Sequence, residues 1–165
     1  MNFTAQSKRG FTLIELLIVV TIIAILAVTV FVALNPAQRL SDTKDARRST
    51  DVDTILTAIH QSVIDNKGTL PSNLTLGGAE KQLGTGASGC DIDTGGCSVA
   101  GASDCTNLLT GTQNLSKYLA SMPVDPAGGT TYTSVKTGYS AVVNSDGIVT
   151  VKACGAEGST ISASR

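Results

Sequence analysis

Tryptophan is absent from this 165-residue chain, and Phe and Tyr contribute only three residues each. So few aromatics beside 17 glycines exclude a large aromatic core and predict a small, loop-rich one. A single histidine, His60, leaves little basis for a catalytic triad. It follows Ile59 in a helical pattern, where a structural or solvated role fits better than a ligand role. No segment has the pattern of a phosphate-binding loop, a nucleophile elbow or a metalloprotease helix, so the chain reads as a non-enzyme. The net charge of −1 supplies no global field and no direct nucleic-acid signal.

What the chain does have is one long apolar run. The mean hydropathy of +0.20 arises mainly from Phe11 to Leu34, FTLIELLIVVTIIAILAVTVFVAL, which holds one charge, Glu15, and no Gly or Pro. As a helix it is about 36 Å long, against a hydrocarbon core of about 30 Å, so it crosses a bilayer with some tilt. The rest of the chain is too small to bury such a rod on all sides. Lys8 and Arg9 precede the run, and residues 1–10 contain no acid, which places that end in the cytoplasm. Beyond Leu34 the charges mix: Arg39, Asp42, Lys44, Asp45, Arg47, Arg48, Asp51 and Asp53. Residues 35–165 then lie outside the cytoplasm. Cys90, Cys97, Cys105 and Cys154 all fall there, an even number suited to disulfides worth about 2–4 kcal/mol each.

An ordinary secretory signal has a shorter apolar stretch followed by an A-x-A-like site, and neither is present. The unusual residues come before the run, in Lys8-Arg9-Gly10-Phe11-Thr12-Leu13-Ile14-Glu15. A charge near a helix centre in a membrane costs about 2.5–3.5 kcal/mol, less near the interface, so Glu15 calls for a function. The segment KRGFTLIELLIVVTIIAILA resembles the N-terminal signature of type IV prepilins and type II secretion pseudopilins, strongly over about residues 8–34. The resemblance implies cleavage between Gly10 and Phe11 by a membrane-embedded prepilin peptidase, then methylation of the Phe11 amine. The apolar helix then becomes the core of a filament. Phe11 and Glu15 are four residues apart and share a helix face. A carboxylate in apolar packing needs a cationic partner, and the Phe11 amine, in the same or a neighbouring subunit, is the nearest candidate. The resemblance implies that this pairing sets subunit register. Removing residues 1–10 leaves 10 basic and 13 acidic residues, a net charge of −3.

Asn35-Pro36 interrupts the run, and Pro36 predicts a kink or local melting near residues 32–36. Helical spacing resumes with an apolar face at Leu40, Val52, Ile55, Leu56, Ile59 and Val63, and Arg47 stands four residues from Asp51. Asn66-Lys67-Gly68 supplies a stop, so one long helix covers about residues 11–66. Residues 68–116 read as an irregular, variable loop, with a short helix at Leu108–Tyr118. Strands are predicted at Thr130–Val135, Tyr139–Val143 and Ile148–Ala153, with a hairpin turn at Asn144-Ser145-Asp146-Gly147. The tail from Gly155 to Arg165 is small and polar and reads as frayed.

Four cysteines admit three pairings. Nearness in sequence favours Cys90–Cys97 with Cys105–Cys154. Their spacings are not those of a zinc ribbon. Met122-Pro123-Val124-Asp125-Pro126 resembles a loop before the sheet in major pseudopilins and many bacterial pilins, some of which bind calcium nearby. Asp125 is the matching carboxylate, and Asp146 is a second candidate. Asp91 and Asp93 form a D-x-D. Calcium needs six to eight oxygens, and a structural turn is the competing reading, so no cofactor is assigned. Asn73-Leu74-Thr75 and Asn114-Leu115-Ser116 match the N-glycosylation pattern.

The expected fold class is α+β and pilin-like. One long N-terminal helix, a transmembrane half plus an amphipathic half, packs on a small antiparallel sheet of three to four strands. The expected domains are a leader at 1–10, a transmembrane and filament-core helix at 11–34, an amphipathic continuation at 35–67 and a globular head at 68–165. Within the head, the variable loop covers 68–116 and the sheet about 130–154. The function implied is that of a type IV pilus subunit serving adhesion, motility or DNA uptake. The alternative is a pseudopilin of a type II secretion system. Either partners itself in a homopolymer, together with membrane lipid before assembly, the prepilin peptidase, an inner-membrane platform protein and an assembly ATPase. Its location is the bacterial cytoplasmic membrane first and the extracellular filament afterwards.

Overall fold

The structure is a computed structural model that describes residues 10–165. Lys8, Arg9 and the rest of the expected leader before Gly10 lie outside the described residues. The elements in order are α1 (Leu13–Leu34), α2 (Pro36–Asp65), β1 (Lys81–Leu83), β2 (Cys105–Thr106), β3 (Tyr139–Val143), β4 (Val149–Ala153) and β5 (Ile161–Ser164). The chain divides into two compact units, one ending at Arg39 and the other spanning Leu40–Arg165.

In the first unit, α1 buries none of its 22 residues. It ends at Asn35, whose φ of 38° lies in the left-handed region that Asn tolerates better than most residues. Pro36 then opens α2, at the first helical position, where a missing N–H is no loss and the fixed φ suits the helix. The interruption expected around residues 32–36 is therefore a single left-handed residue. Regular helix runs up to it and resumes after it.

In the second unit, α2 lays Val52, Ile55, Leu56 and Ile59 against the sheet, as their spacing predicts, whereas Leu40, expected on the same face, is exposed. They meet Leu83, Tyr139, Ala141, Val143, Val149, Val151 and Ala153 from the strands, and Leu108 and Leu115 from the loop. Each large side chain so buried is worth about 1.5–3 kcal/mol. At the C-terminus of α2, Lys67 (φ 56°) and Gly68 (φ 86°) adopt left-handed conformations, and the Gly68 N–H donates to the Val63 carbonyl at 2.8 Å, closing the last turn.

The sheet has five strands in the order β2-β1-β3-β4-β5, not the three to four expected. It is antiparallel except for the β1–β2 pair. The β3–β4 hairpin forms where its turn residues place it, with Val143 opposite Val149. Asn144 Oδ1 accepts the Ile148 N–H at 2.8 Å, and Gly147 takes a φ of 87°.

Four local expectations are corrected. Thr130–Val135 is not a strand: the Thr133 N–H turns back to the Lys136 carbonyl, and the Ser134 and Val135 carbonyls are taken by Thr85 and Gly86. Leu108–Tyr118 is not a helix, because Gly111 (φ 89°) and Gln113 (φ 52°) interrupt it. The Leu115 N–H instead reaches the Leu108 carbonyl, sending both leucines to the core. The expected irregular loop contributes β1 and β2. The tail is not frayed, because Ile161–Ser164 adds to the sheet edge beside β4.

The disulfides also differ from the favoured pairing. They join Cys90 to Cys105 and Cys97 to Cys154, each pair with its Cα atoms 5.3 Å apart. The reason is a hairpin-like lap in the loop. Ile92 pairs with Val99, and the Cys97 N–H closes a turn on the Thr94 carbonyl. That lap puts Cys90 at its open end beside β2 and Cys97 at its tip beside the end of β4. Nearness in sequence misleads because the turn separates the two cysteines it spans.

Candidate functional site

The start of α1 is built around Thr12 and Glu15. Thr12 is the N-cap, with φ −81° and ψ 151°. Its hydroxyl accepts the Glu15 N–H at 3.3 Å, and the Glu15 carboxylate accepts the Thr12 N–H at 3.5 Å. This reciprocal capping box satisfies two amides that the helix itself leaves unpaired. Glu15 therefore has a local partner as well as its expected role toward an amine. The sequence carries the signal for this, T-x-x-E before an apolar run. Phe11 is 78% exposed, and a Cβ at Gly10 would meet nothing within 4 Å, so the Gly10–Phe11 bond is sterically open.

Along α1 the two remaining polar side chains are satisfied within the helix. The Thr21 hydroxyl donates to the Ile18 carbonyl at 2.7 Å, and the Thr29 hydroxyl to the Leu26 carbonyl at 2.8 Å. Past its first turn, α1 presents no unpaired polar side chain to an apolar surrounding. A helix long and apolar enough to cross a membrane begins at Leu13.

Residues 6–31 match the family model described as the prokaryotic N-terminal methylation motif. The chain thus carries an N-terminal methylation motif. The motif is typical of type IV pilin and pseudopilin precursors, which are structural proteins and not enzymes. No curated protein and no solved structure matches the chain.

In the second unit, the head, the charge cluster around Arg48 escaped the sequence reading, which placed Arg48 among mixed charges beyond Leu34. The side chain is fully buried. Its Nε and Nη2 donate to the two oxygens of Asp125 at 2.7 and 2.8 Å, and Nη1 donates to Asp45 at 2.7 Å. The Asp125 bond, stronger than the opposing burial, holds the Arg48 guanidinium far above its usual range. Asp125 also accepts the Ala127 N–H, which sets the Pro-Val-Asp-Pro turn. Gly155 packs so closely on the Asp125 carboxylate that an added Cβ would clash with it. The Asp125 carboxylate serves Arg48 and the turn. Asp146 lies in the β3–β4 turn with its N–H on Asn144. Among the described residues no group of three or more His, Cys, Asp or Glu side chains is placed to hold a metal ion. Asp91 and Asp93 line a small cavity with Ile92 and Val99.

Two further polar ties join the head. The Tyr139 hydroxyl donates to Asp51 at 2.7 Å; burial, aided by that carboxylate, pushes its pKa well up. On the opposite sheet face Glu80 accepts from the Ser140 hydroxyl and pairs with Lys152 at 2.7 Å. His60 has a structural partner, the Arg165 carbonyl at 3.1 Å from Nε2.

The two glycosylation patterns are local stitches. Asn73 Nδ2 donates to the Asn107 carbonyl at 2.6 Å, and Asn114 Oδ1 accepts the Ser116 hydroxyl at 2.6 Å. The middle residue of each pattern, Leu74 or Leu115, is buried, so the folded segments cannot extend into a transferase. A groove of about 540 Å³ on α2 is lined by Thr50, Asp53, Thr54, Thr57, Gln61 and Tyr118 among others, with no His or Cys beside its hydroxyls.

Proposed function

We propose that this chain is the structural subunit of a type IV pilus. In this reading residues 1–10 are a leader removed by a prepilin peptidase, which cuts between Gly10 and Phe11 and methylates the Phe11 amine. Residues 11–34 span the cytoplasmic membrane and then enter the filament core, residues 35–67 continue the helix, and residues 68–165 form the exported head. The platform protein and the assembly ATPase supply the work of extraction. The carrying observation is a wholly unburied apolar helix directly behind Gly10-Phe11, most of it inside the matched methylation motif. In lipid such a rod gains little from simple area burial against another helix, because both surroundings are apolar. Register must come from specific contacts, and the pairing of Glu15 with a Phe11 amine supplies one.

Two disulfides in the head favour a surface filament, which gains from covalent staples. The Met122–Pro126 loop favours the second reading, a pseudopilin of a type II secretion system, although its Asp125 is engaged by Arg48. Electron microscopy of sheared surface material, with mass spectrometry of the protein in it, tests the proposal. Long filaments whose subunit begins at a methylated Phe11 support the pilus. A chain cut at Phe11 but confined to the membrane fraction supports the pseudopilin. An uncut chain overturns both.

A further inference from the structure

The last part of the chain is held differently from the rest of the head. From Gly155 to Arg165 no residue is buried, whereas β3 and β4 bury most of theirs. Only Ile161 and Ala163 reach the core, and only in part. The segment is fastened to α2 by polar contacts. Lys44 pairs with Glu157 at 3.2 Å, and Arg48 reaches the same carboxylate at 3.6 Å. Asp45 accepts the Glu157 N–H at 3.3 Å and the Gly158 N–H at 3.1 Å. At the far end, His60 meets the Arg165 carbonyl at 3.1 Å. β5 itself is an edge strand, paired on one side with β4.

We infer that residues 157–165 form a strap that opens and closes as a unit on an intact head, with Asp45 and Glu157 as its lock. Segments with few buried apolar contacts open far below the global unfolding free energy. The strap also has a defined stop. Cys154, bonded to Cys97, stands immediately before it, and Gly155 is packed on Asp125. Opening is thereby kept from running into β4. An open strap leaves the backbone edge of β4 unpaired, which is a template for an added strand.

The lock responds to charge. Its groups are Lys44, Asp45 and Arg48 on α2 and Glu157 on the strap, with Asp125 behind Arg48. Burial opposes the Asp45 charge, but hydrogen bonds from Arg48, Glu157 and Gly158 outweigh it and hold the carboxyl below its usual range. Hydrogen bonds from Ser41 and Lys44 lower Glu157. Both folded values are depressed, so the lock is complete above the ordinary carboxylate range and is lost as pH falls through the folded values.

Hydrogen exchange of the full chain in detergent micelles, read by mass spectrometry at pH 7, tests the strap. Amides in residues 157–165 exchange at least tenfold faster than those of the strands at 139–143 and 149–153. Asp45→Asn and Glu157→Gln each speed the strap at least a further threefold and leave those two strands unchanged. Equal exchange in the two regions overturns the inference. So does a variant that accelerates both together, since that marks general destabilisation. The exposed Glu157→Gln gives a reading even where Asp45→Asn disturbs Arg48.

Discussion

The helix α1 and the head satisfy their chemistry in opposite ways. Every residue of α1 is left unburied, and its hydroxyls turn inward to its own carbonyls. The head closes on itself, with a buried guanidinium, a buried tyrosine and two disulfides joining segments distant in sequence. The difference teaches where each region finds its partners. An apolar rod with no face of its own is completed only from outside, by lipid or by other rods. The head carries its specificity within, so substitutions there are expected to act on folding, and under the proposed function substitutions at the start of α1 are expected to act on assembly.

The sharpest way to break this comparison is Glu15→Leu. Filament yield in sheared fractions falls at least tenfold, while insertion and the melting temperature of the head stay unchanged; normal yield removes the register role. Next is Asp125→Ala, which strands a buried Arg48. Breaking such a pair costs about 3–5 kcal/mol, read as a lower denaturant midpoint, with filament competence lost only through unfolded subunits. Paired Cys→Ser changes follow. By loop entropy, opening Cys97–Cys154, separated by 57 residues, costs about 4 kcal/mol, and opening Cys90–Cys105, separated by 15, about 3 kcal/mol. Chemical denaturation of the two double variants checks the order. The smallest effect is Thr12→Ala. Loss of the cap costs about 1 kcal/mol, or about fivefold faster exchange of the first-turn amides, with no change in head stability.

Legibility followed the same division. The stripe on α2 and the Asn144–Gly147 hairpin were readable because each follows a local period or turn chemistry. β1 and β2 were not, with three residues and two, too short for any periodic signal. β5 reads Ile-Ser-Ala-Ser and lacks the β-branched run that marked β4. Thr130–Val135 had better strand composition yet spends its carbonyls on Thr85 and Gly86. Asp125 was singled out for its loop, but its partner, Arg48, lies 77 residues away.

By itself the sequence determined the apolar rod, the Gly10-Phe11 junction with its carboxylate, and the amphipathic helix, because each is specified by neighbours within a few turns. Only the tertiary structure decided which cysteines pair, what Asp125 holds, and that the polar tail becomes a strand. Those outcomes depend on which distant groups are brought within hydrogen-bonding reach, and a buried charge takes whatever partner the packing leaves beside it.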